Sequence, residues 1–200
     1  EPEIVDQGEA LIKMGAKISG LGTSEIHIEG VPHLHGMTHD VIAVYPGTFD
    51  PITCGHVDII TRASSIFDTV IVAILVNRGK RHMFSTEERL EMLRSACAHL
   101  PNVEIDHFEG LLVDYVRKRG AHVVIRGLRV VSDFEFEMTM ALMNRKLDPT
   151  IETMYIMASM EYSFLSSSLV KEVAALGGDI RCLVPASIAE RVAARCRGEA

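Results

Sequence analysis

The sequence has little of what marks secreted, membrane-spanning or nucleic-acid-binding proteins. It contains four cysteines among 200 residues, and no two of them have CxxC spacing, so neither a disulfide framework nor a zinc site is expected. No apolar run approaches the ~20 residues that a membrane-spanning helix requires. The formal net charge of -7 offers no general basic surface for nucleic acid. These absences predict a cytoplasmic globular protein with reduced thiols and without nucleic-acid or membrane partners.

Familiar catalytic and metal-binding motifs are also missing. There is no GxxxxGKS/T P-loop, no GxGxxG fingerprint and no Ser-His-Asp arrangement with a nucleophile elbow. His35 and His39 are four residues apart, but Pro32 and Gly36 disfavour the helix that would place them on one face. We therefore expect that the protein itself forms no metal site.

The first 36 residues differ in pattern from the rest of the chain. Residues 4–14 have the spacing of a short amphipathic helix, residues 15–22 are glycine-rich, and residues 26–30 are predicted to form a short strand. The motifs EPEIVD, MGAKISG, GT and IEGV in this segment are similar to a part of the UDP-N-acetylglucosamine 1-carboxyvinyltransferase family. The resemblance implies that residues 1–36 are a fused helix-hairpin fragment and linker without catalysis, and that the main domain covers 37–200.

Beyond Met37, predicted strands and helices alternate. Several of the predicted strands are continuous apolar runs, as expected for strands buried on both faces, and the pairs Ser85–Glu88 and Ser132–Glu135 have capping-box spacing at helix starts. This alternation predicts an α/β fold with a doubly wound, mainly parallel five-stranded sheet. The predicted strands cover residues 41–44, 69–76, 103–105, 122–125 and 151–157. The predicted helices cover residues 57–63, 85–98, 111–119, 132–147, 166–176 and 187–195.

The stretch YPGTFDPITCGH, residues 45–56, joins the first predicted strand of this domain to its first helix. A turn of this kind aims the unpaired N–H groups of the helix at the space above the strand, which is a common site for phosphate. His56, at the start of the helix, adds a side-chain donor to the same place. Taken alone, the stretch is equally compatible with a purely structural turn.

Polar groups follow four of the predicted strands. Because ligands bind outside the carboxyl ends of the strands in such a sheet, these groups should converge on one crevice. Each has a structural alternative: Lys80 as a surface charge, Arg126 as the ion-pair partner of Asp133 or Glu137, and the serines as a helix cap. Together they favour nucleotidyl transfer, in which catalysis is mainly positioning and charge stabilisation. The converging groups are Thr48, His56, Lys80, Arg126, Gly127, Arg129, Tyr162, Ser163 and residues 166–168.

Four motifs carry a resemblance to a known family: YPGTFDP with GH at 55–56, IRGLR at 125–129, DFEFEM at 133–138, and FLSSSLVKE at 164–172. From residue 37 to the end, the chain resembles the phosphopantetheine adenylyltransferase family. The resemblance implies a Rossmann-like nucleotidyltransferase fold and the reaction of ATP with 4'-phosphopantetheine to give dephospho-coenzyme A and pyrophosphate, with Mg²⁺ entering with ATP. It also implies a homohexamer, coenzyme A as a possible feedback ligand, and a subunit contact through the helix that carries Met138, Met140 and Met143.

The resemblance also implies roles for single residues. His56, Lys80 and Arg129 would be catalytic, with His56 stabilising charge on the α-phosphoryl group and Lys80 bridging the phosphates of the two substrates. Arg126 would hold the phosphate of phosphopantetheine, and Leu112 would line the pantetheine arm. The attacking phosphate is already an anion, so no strong general base is required. The implied ATP-binding residues are Thr48, Phe49, His56, Gly127, Leu128, Arg129, Glu137, Tyr162, Ser163, Phe164, Leu165, Ser166, Ser167 and Ser168. The implied residues for the second substrate are Thr48, Lys80, Leu112 and Arg126.

Three other functions remain open at this point. One is adenylyl or cytidylyl transfer to a different phosphate such as nicotinamide mononucleotide, and the IRGLR and FLSSS motifs count against it. A second is a nucleotide sensor without turnover, against which the intact set of His56, Lys80 and Arg126 argues. A third is a bifunctional enzyme, but residues 1–36 contain too little of the second fold to form its active site.

Overall fold

The computed structural model describes residues 2–36, 40–77, 79 and 81–198, which form two compact units, Glu1–Asp40 and Val41–Ala200. The first unit consists of helix α1 (Pro2–Lys13) and an antiparallel hairpin of β1 (Lys17–Ser19) and β2 (His27–Glu29). The predicted amphipathic helix and short strand are confirmed. Met37 and His39 lie outside the described residues.

The second unit is an α/β fold around a five-stranded parallel sheet of order β5-β4-β3-β6-β7, as predicted. The chain runs from the central strand β3 outward to β5, then returns to the other side of β3 for β6 and β7, which makes the sheet doubly wound. None of the helices in the described part of the chain combines the length and apolarity needed to span a bilayer. The elements are β3 (Ile42–Gly47), α2 (Cys54–Ser64), β4 (Thr69–Leu75), α3 (Thr86–Cys97), β5 (Val103–Phe108), α4 (Leu112–Lys118), β6 (Val123–Leu128), α5 (Val131–Leu147), β7 (Glu152–Met157), a short 3-10 helix (Met160–Tyr162), α6 (Ser167–Ala175) and α7 (Ala189–Cys196).

Strand β4 shows why its sequence is a continuous apolar run. Val70, Val72 and Ile74 are buried in the core on one face of the sheet. Ile71 and Ala73 are buried in a second core on the other face. Because side chains alternate between the faces of a strand, a strand covered by helices on both sides must be apolar at every position.

Two local predictions are corrected by the structure. Strand β6 continues to Leu128, so Arg126 and Gly127 lie within the strand rather than after it. The capping box predicted at Ser132 is wrong, because α5 already begins at Val131 and its N-cap residue Val130 makes no side-chain cap hydrogen bond. The corresponding prediction at the start of α3 is confirmed, with Ser85 and Glu88 hydrogen-bonded reciprocally.

The central strands diverge at their carboxyl ends. Strands β3 and β6 pair only at Ala43 with Val123 and at Val44 with Val124, although β3 runs on to Gly47 and β6 to Leu128. This divergence lies at the reversal of strand order, which is where ligands bind in doubly wound sheets. It therefore places a crevice at the position that the sequence pattern predicts.

Candidate active site

A cavity of about 670 Å³ opens at the carboxyl ends of β3 and β6. Its walls come from the turn after β3, the start of α2, the end of β6, helices α4 and α5, and the segment that leads into α6. Elements far apart in the sequence thus contribute to one site. The predicted site residues that line the cavity are Thr48, Phe49, His56, Leu112, Arg126, Gly127, Arg129, Glu137, Tyr162, Leu165, Ser166 and Ser167.

The other predicted site residues are placed differently. Leu128 is buried, while Phe164 and Ser168 are exposed, and neither these nor Ser163 contributes to the described cavity wall. Lys80 lies outside the described residues. The structure therefore brings together most of the predicted set around one space.

His56 is held by the cap of its own helix. Thr53 is the N-cap of α2, and its side chain accepts a hydrogen bond from the backbone N–H of His56. In return, Nδ1 of His56 accepts the backbone N–H of Thr53 at 3.0 Å. This is a capping box in which histidine replaces the usual Glu or Gln. Because Nδ1 is an acceptor, the proton of the neutral imidazole is on Nε2, which remains available as a donor.

The charge state of His56 follows from its surroundings. Burial and, secondarily, the positive charge of Arg129 lower the pKa of His56 from its ordinary value of 6.5 to about 4. Since the folded-state pKa lies below the unfolded one, the contribution of this group to folding stability is present above pH 6.5 and is lost as the pH falls toward 4. At neutral pH the ring is uncharged.

We expect an NMR titration to show this directly. The Cε1–H resonance of His56, assigned by its loss in His56→Ala, should stay constant from about pH 8 to about pH 5.5 and shift only with a midpoint near 4. A midpoint near 6.5 would contradict the burial of the imidazole beside Arg129. A histidine peptide in the same tube provides the reference titration.

The turn after β3 has an unusual conformation. Phe49 has a φ of 48°, in the left-handed region, and its side chain is 2% exposed. Its ring packs edge-on against Tyr45 and against the imidazole of His56, with centroids 5.6 and 5.1 Å apart. A Cβ at Gly47 would lie 2.6 Å from Cζ of Phe49, so only glycine fits beneath this ring. The Phe49 side chain thus packs against His56 from the core.

Arg126 occupies the gap between the diverging strands. Its Nη1 donates to the Pro46 carbonyl oxygen at 3.0 Å, across the interval where β3 and β6 no longer pair. Its Nε donates to the Glu137 carboxylate at 2.6 Å, and Nη2 donates to the second oxygen of the same carboxylate. Burial disfavours the charged form of Arg126, but the bonds to Glu137 outweigh it and raise its pKa. Of the two partners that the sequence left open, the structure selects Glu137.

Arg129 and the start of α6 form the opposite wall. Arg129 pairs with Asp133, one turn along, through Nε and Nη2 at 3.0 and 3.1 Å, and Nη1 donates to the Leu165 carbonyl at 3.2 Å. Ser166 is the N-cap of α6 and accepts the backbone N–H of Leu169 at 3.1 Å. The cavity therefore has a cation and a helix N-terminus side by side, which is an arrangement suited to anions.

Sequence reasoning missed several contributors to the cavity. Thr53 has the capping-box spacing to His56, a signal that was present in the sequence. Met140 and Met143 line the cavity, although their spacing alone predicts only a core or subunit contact. They stand with Phe108, Leu111, Leu112 and Leu147 in an apolar part of the wall that also includes the buried polar residue Asn144.

Comparison with known proteins finds relatives over about three quarters of this chain. The sequence model of the cytidylyltransferase-like family matches residues 44–173. Phosphopantetheine adenylyltransferase of Caldanaerobacter subterraneus subsp. tengcongensis is 53% identical over 151 residues, which are 76% of this chain and 94% of the relative. The protein of the same name from Dictyoglomus turgidum is 55% identical over 150 residues, covering 75% and 94% of the two chains.

A solved structure shows the same fold at low sequence identity. It is described as a nicotinate-nucleotide adenylyltransferase from Vibrio parahaemolyticus and superposes with a TM-score of 0.57 at 16% identity, covering 78% of this chain and 96% of that one. These comparisons give no support to the resemblance of residues 1–36 to carboxyvinyltransferases, since the family match begins only at residue 44 and the relatives match about three quarters of the chain. With 53–55% identity over about three quarters of its own length and 94% of the length of these relatives, this chain belongs to the phosphopantetheine adenylyltransferase family of nucleotidyltransferases.

Proposed function

We propose that this chain transfers the adenylyl group of ATP to 4'-phosphopantetheine, releasing pyrophosphate and forming dephospho-coenzyme A. The observation that carries the proposal is the 53–55% identity to four relatives with this name, over at least 90% of each relative. The cavity at the diverging strands supports it, because cationic and hydrogen-bond-donating groups face an apolar wall within one space. Such a space suits one polyanionic and one partly apolar substrate.

In this proposal ATP lies between the turn after β3 and the start of α6. The β- and γ-phosphates bind at the N-terminus of α6 with Ser166, Ser167 and Arg129, and the α-phosphate lies beside Thr48 and His56. The neutral imidazole donates from Nε2 to an oxygen of the α-phosphoryl group as negative charge builds up there. Preorganised donors of this kind stabilise a transition state without covalent chemistry.

The phosphate of 4'-phosphopantetheine is the nucleophile, and Arg126 binds it. A guanidinium has five N–H donors, and three of those of Arg126 are used by Glu137 and the Pro46 carbonyl. The other two remain for a phosphate without breaking the pair with Glu137. Because the second pKa of a phosphate monoester is about 6, the attacking oxygen is anionic at pH 7 and needs no general base. Lys80 keeps its predicted role of bridging the two phosphates.

The apolar wall fits the remaining parts of the two substrates. Leu112 with Met140 and Met143 offers a surface for the pantetheine arm. Tyr162, beside Gly55 at the start of α2, presents a flat ring near the adenine end. The residues before α6, including Ser163, Phe164, Leu165 and Ser168, keep their predicted role in nucleotide binding.

Magnesium enters this scheme with ATP. Within the described ranges, no group of three or more His, Cys, Asp or Glu side chains is arranged to hold a metal ion. Mg²⁺ commonly binds through substrate phosphates and water with few protein ligands. We therefore propose that Mg²⁺ binds as part of the nucleotide substrate, and we assign no step to a resident metal.

The proposal includes assembly, regulation and location. Helix α5 exposes large apolar side chains, with Phe136 65% and Leu142 62% exposed, and the edge strand β7 adds Met157 at 56%. Such a face favours a subunit contact, in keeping with the homohexamer that the resemblance implies. We also propose that coenzyme A is a feedback ligand and that the protein is located in the cytoplasm. Residues 1–36 are proposed to be a non-catalytic fused segment. Sedimentation velocity of the full chain tests the hexamer.

The proposed reaction is tested by a turnover assay of the full chain. With ATP, Mg²⁺ and 4'-phosphopantetheine, we expect pyrophosphate release and a product with the mass of dephospho-coenzyme A. Nicotinamide mononucleotide in place of 4'-phosphopantetheine should give no product, and UDP-N-acetylglucosamine with phosphoenolpyruvate should release no phosphate. ATP binding without turnover would instead support the nucleotide sensor.

A further inference from the structure

Arg89 is the largest fully buried side chain among the described residues. It lies near the start of α3 and is 1% exposed. Arginine is rarely buried to this extent unless a carboxylate pairs with it, because removing its charge from water is costly. Its surroundings therefore call for an explanation.

Within the described residues, the guanidinium of Arg89 donates only to neutral oxygens. Nη1 donates to the backbone carbonyl of Thr48 at 2.8 Å, and among the described residues this is its one hydrogen bond to a group distant in sequence. Nε donates to the carbonyl of Ser85 at 3.3 Å, and Nη2 donates to the Thr86 hydroxyl at 3.2 Å. In the described part of the chain, no carboxylate comes within ion-pairing distance of this guanidinium.

The charges of two carboxylates act on Arg89, that of Asp50 and, less strongly, that of Glu87, and Asp50 is already engaged elsewhere. The charge of Asp50 acts on Arg89 from a distance, but its carboxylate accepts the backbone N–H groups of Met83 and Phe84, both at 3.0 Å. It also accepts from Lys171 at 3.1 Å. The positive charge of Arg89 is therefore only partly offset, and it lies directly behind the turn after β3.

The turn after β3 contains both a cavity residue and a backbone conformation that its neighbours must stabilise. Thr48 is exposed and lines the cavity, and Phe49, which follows it, has a φ of 48°. A bulky residue in the left-handed region persists only where its neighbours hold it. The hydrogen bond from Arg89 to the Thr48 carbonyl fixes the peptide unit that joins Thr48 to Phe49.

We propose that Arg89 is a positioning residue for the phosphates of the nucleotide: its hydrogen bond holds Thr48 in place, and its partly offset charge favours the polyanion on the other side of the turn. The inference rests on the proposed function in that it takes a nucleoside triphosphate as the ligand. Arg89 is therefore expected to affect ATP binding through Thr48 without contacting the ligand.

Calorimetric titration of the full chain with ATP tests the proposal. Arg89→Met should weaken ATP binding at least about 10-fold, the range for losing a hydrogen bond to a charged group. The affinity for inorganic tripolyphosphate should fall in parallel. The affinity for adenosine should stay within about 2-fold of that of the unaltered chain, because only phosphate binding depends on this turn. Arg94→Met, an exposed arginine on the same helix, is the matched control and should change nothing.

A double-mutant cycle with Thr48 separates positioning from general stability. Thr48→Ala keeps the carbonyl that Arg89 holds but removes the hydroxyl that this bond positions, so in this background the effect of Arg89→Met on ATP binding should fall to about 3-fold or less. ATP affinity within 2-fold of normal in Arg89→Met, or an undiminished effect in the Thr48→Ala background, would overturn the proposal. If Arg89→Met does not fold, Arg89→Lys is measured instead. This variant keeps the positive charge but loses the forked guanidinium, and it should weaken ATP binding about 3- to 10-fold. Unchanged ATP affinity in Arg89→Lys would also overturn the proposal.

Turnover with 4'-phosphopantetheine is measured separately. A chain that binds ATP but forms no dephospho-coenzyme A overturns the proposed function, while the effect of Arg89 on ATP and tripolyphosphate binding still stands or falls by itself.

Discussion

Replacing His56 with alanine is expected to lower turnover by about 10²–10³-fold while ATP still binds, which is the scale for losing one preorganised donor to a transition state. The imidazole is neutral, its Nδ1 is engaged by the Thr53 backbone, and Nε2 is the donor that is lost. Steady-state assays at saturating substrate, with ATP binding followed by calorimetry, measure the two quantities separately. Unchanged turnover would remove His56 from the mechanism.

Thr53→Ala is the matched control for this variant. It removes the hydroxyl, which caps α2 and also lies 2.9 Å from Nδ1 of His56, but keeps the backbone N–H that donates to Nδ1. The lost cap should lower the free energy of unfolding by about 1 kcal/mol. Its turnover should fall less than about 10-fold, well short of the loss expected for a missing transition-state donor. A similar loss of turnover in both variants would mean that the cap, rather than the imidazole, limits the reaction.

Replacing Arg126 with alanine is expected to raise the KM for 4'-phosphopantetheine by about 10²-fold, because a guanidinium that binds the substrate phosphate is lost. The KM for ATP should change much less. The variant also leaves Glu137 and the Pro46 carbonyl without their donor in a partly buried place, which should lower the free energy of unfolding by about 2 kcal/mol. An unchanged KM for 4'-phosphopantetheine would contradict the assignment.

A double variant separates the two effects of losing Arg126. Arg126→Ala with Glu137→Ala removes the stranded carboxylate, so part of the lost stability should return in urea unfolding. The KM for 4'-phosphopantetheine should stay high, since the phosphate ligand is still missing. Recovery of the KM together with the stability would show that Arg126 acts only on the structure.

Local sequence patterns predicted most of the secondary structure because the signals were themselves local. The apolar runs became strands buried on both faces, and Ser85 with Glu88 formed the expected capping box at α3. The same motif failed at Ser132, where α5 begins one residue earlier and the carboxylate of Asp133 pairs with Arg129. Because Val131 is already helical, Ser132 lies inside the helix and cannot be its N-cap.

The sequence by itself determined the α/β class and the order of the elements in the second unit, because hydrophobic period and turn signals are properties of short stretches. Strand-end position also predicted part of the cavity wall, including Thr48, His56 and Arg129, and the family resemblance added Leu112 and Glu137. Only the tertiary structure decided that β3 and β6 separate after Val44, and that Arg126 bridges the gap and pairs with Glu137. It also decided the burial that keeps His56 neutral. Pairing and burial depend on groups that are distant in sequence but close in space, and no local pattern specifies which of several acids a cation will meet.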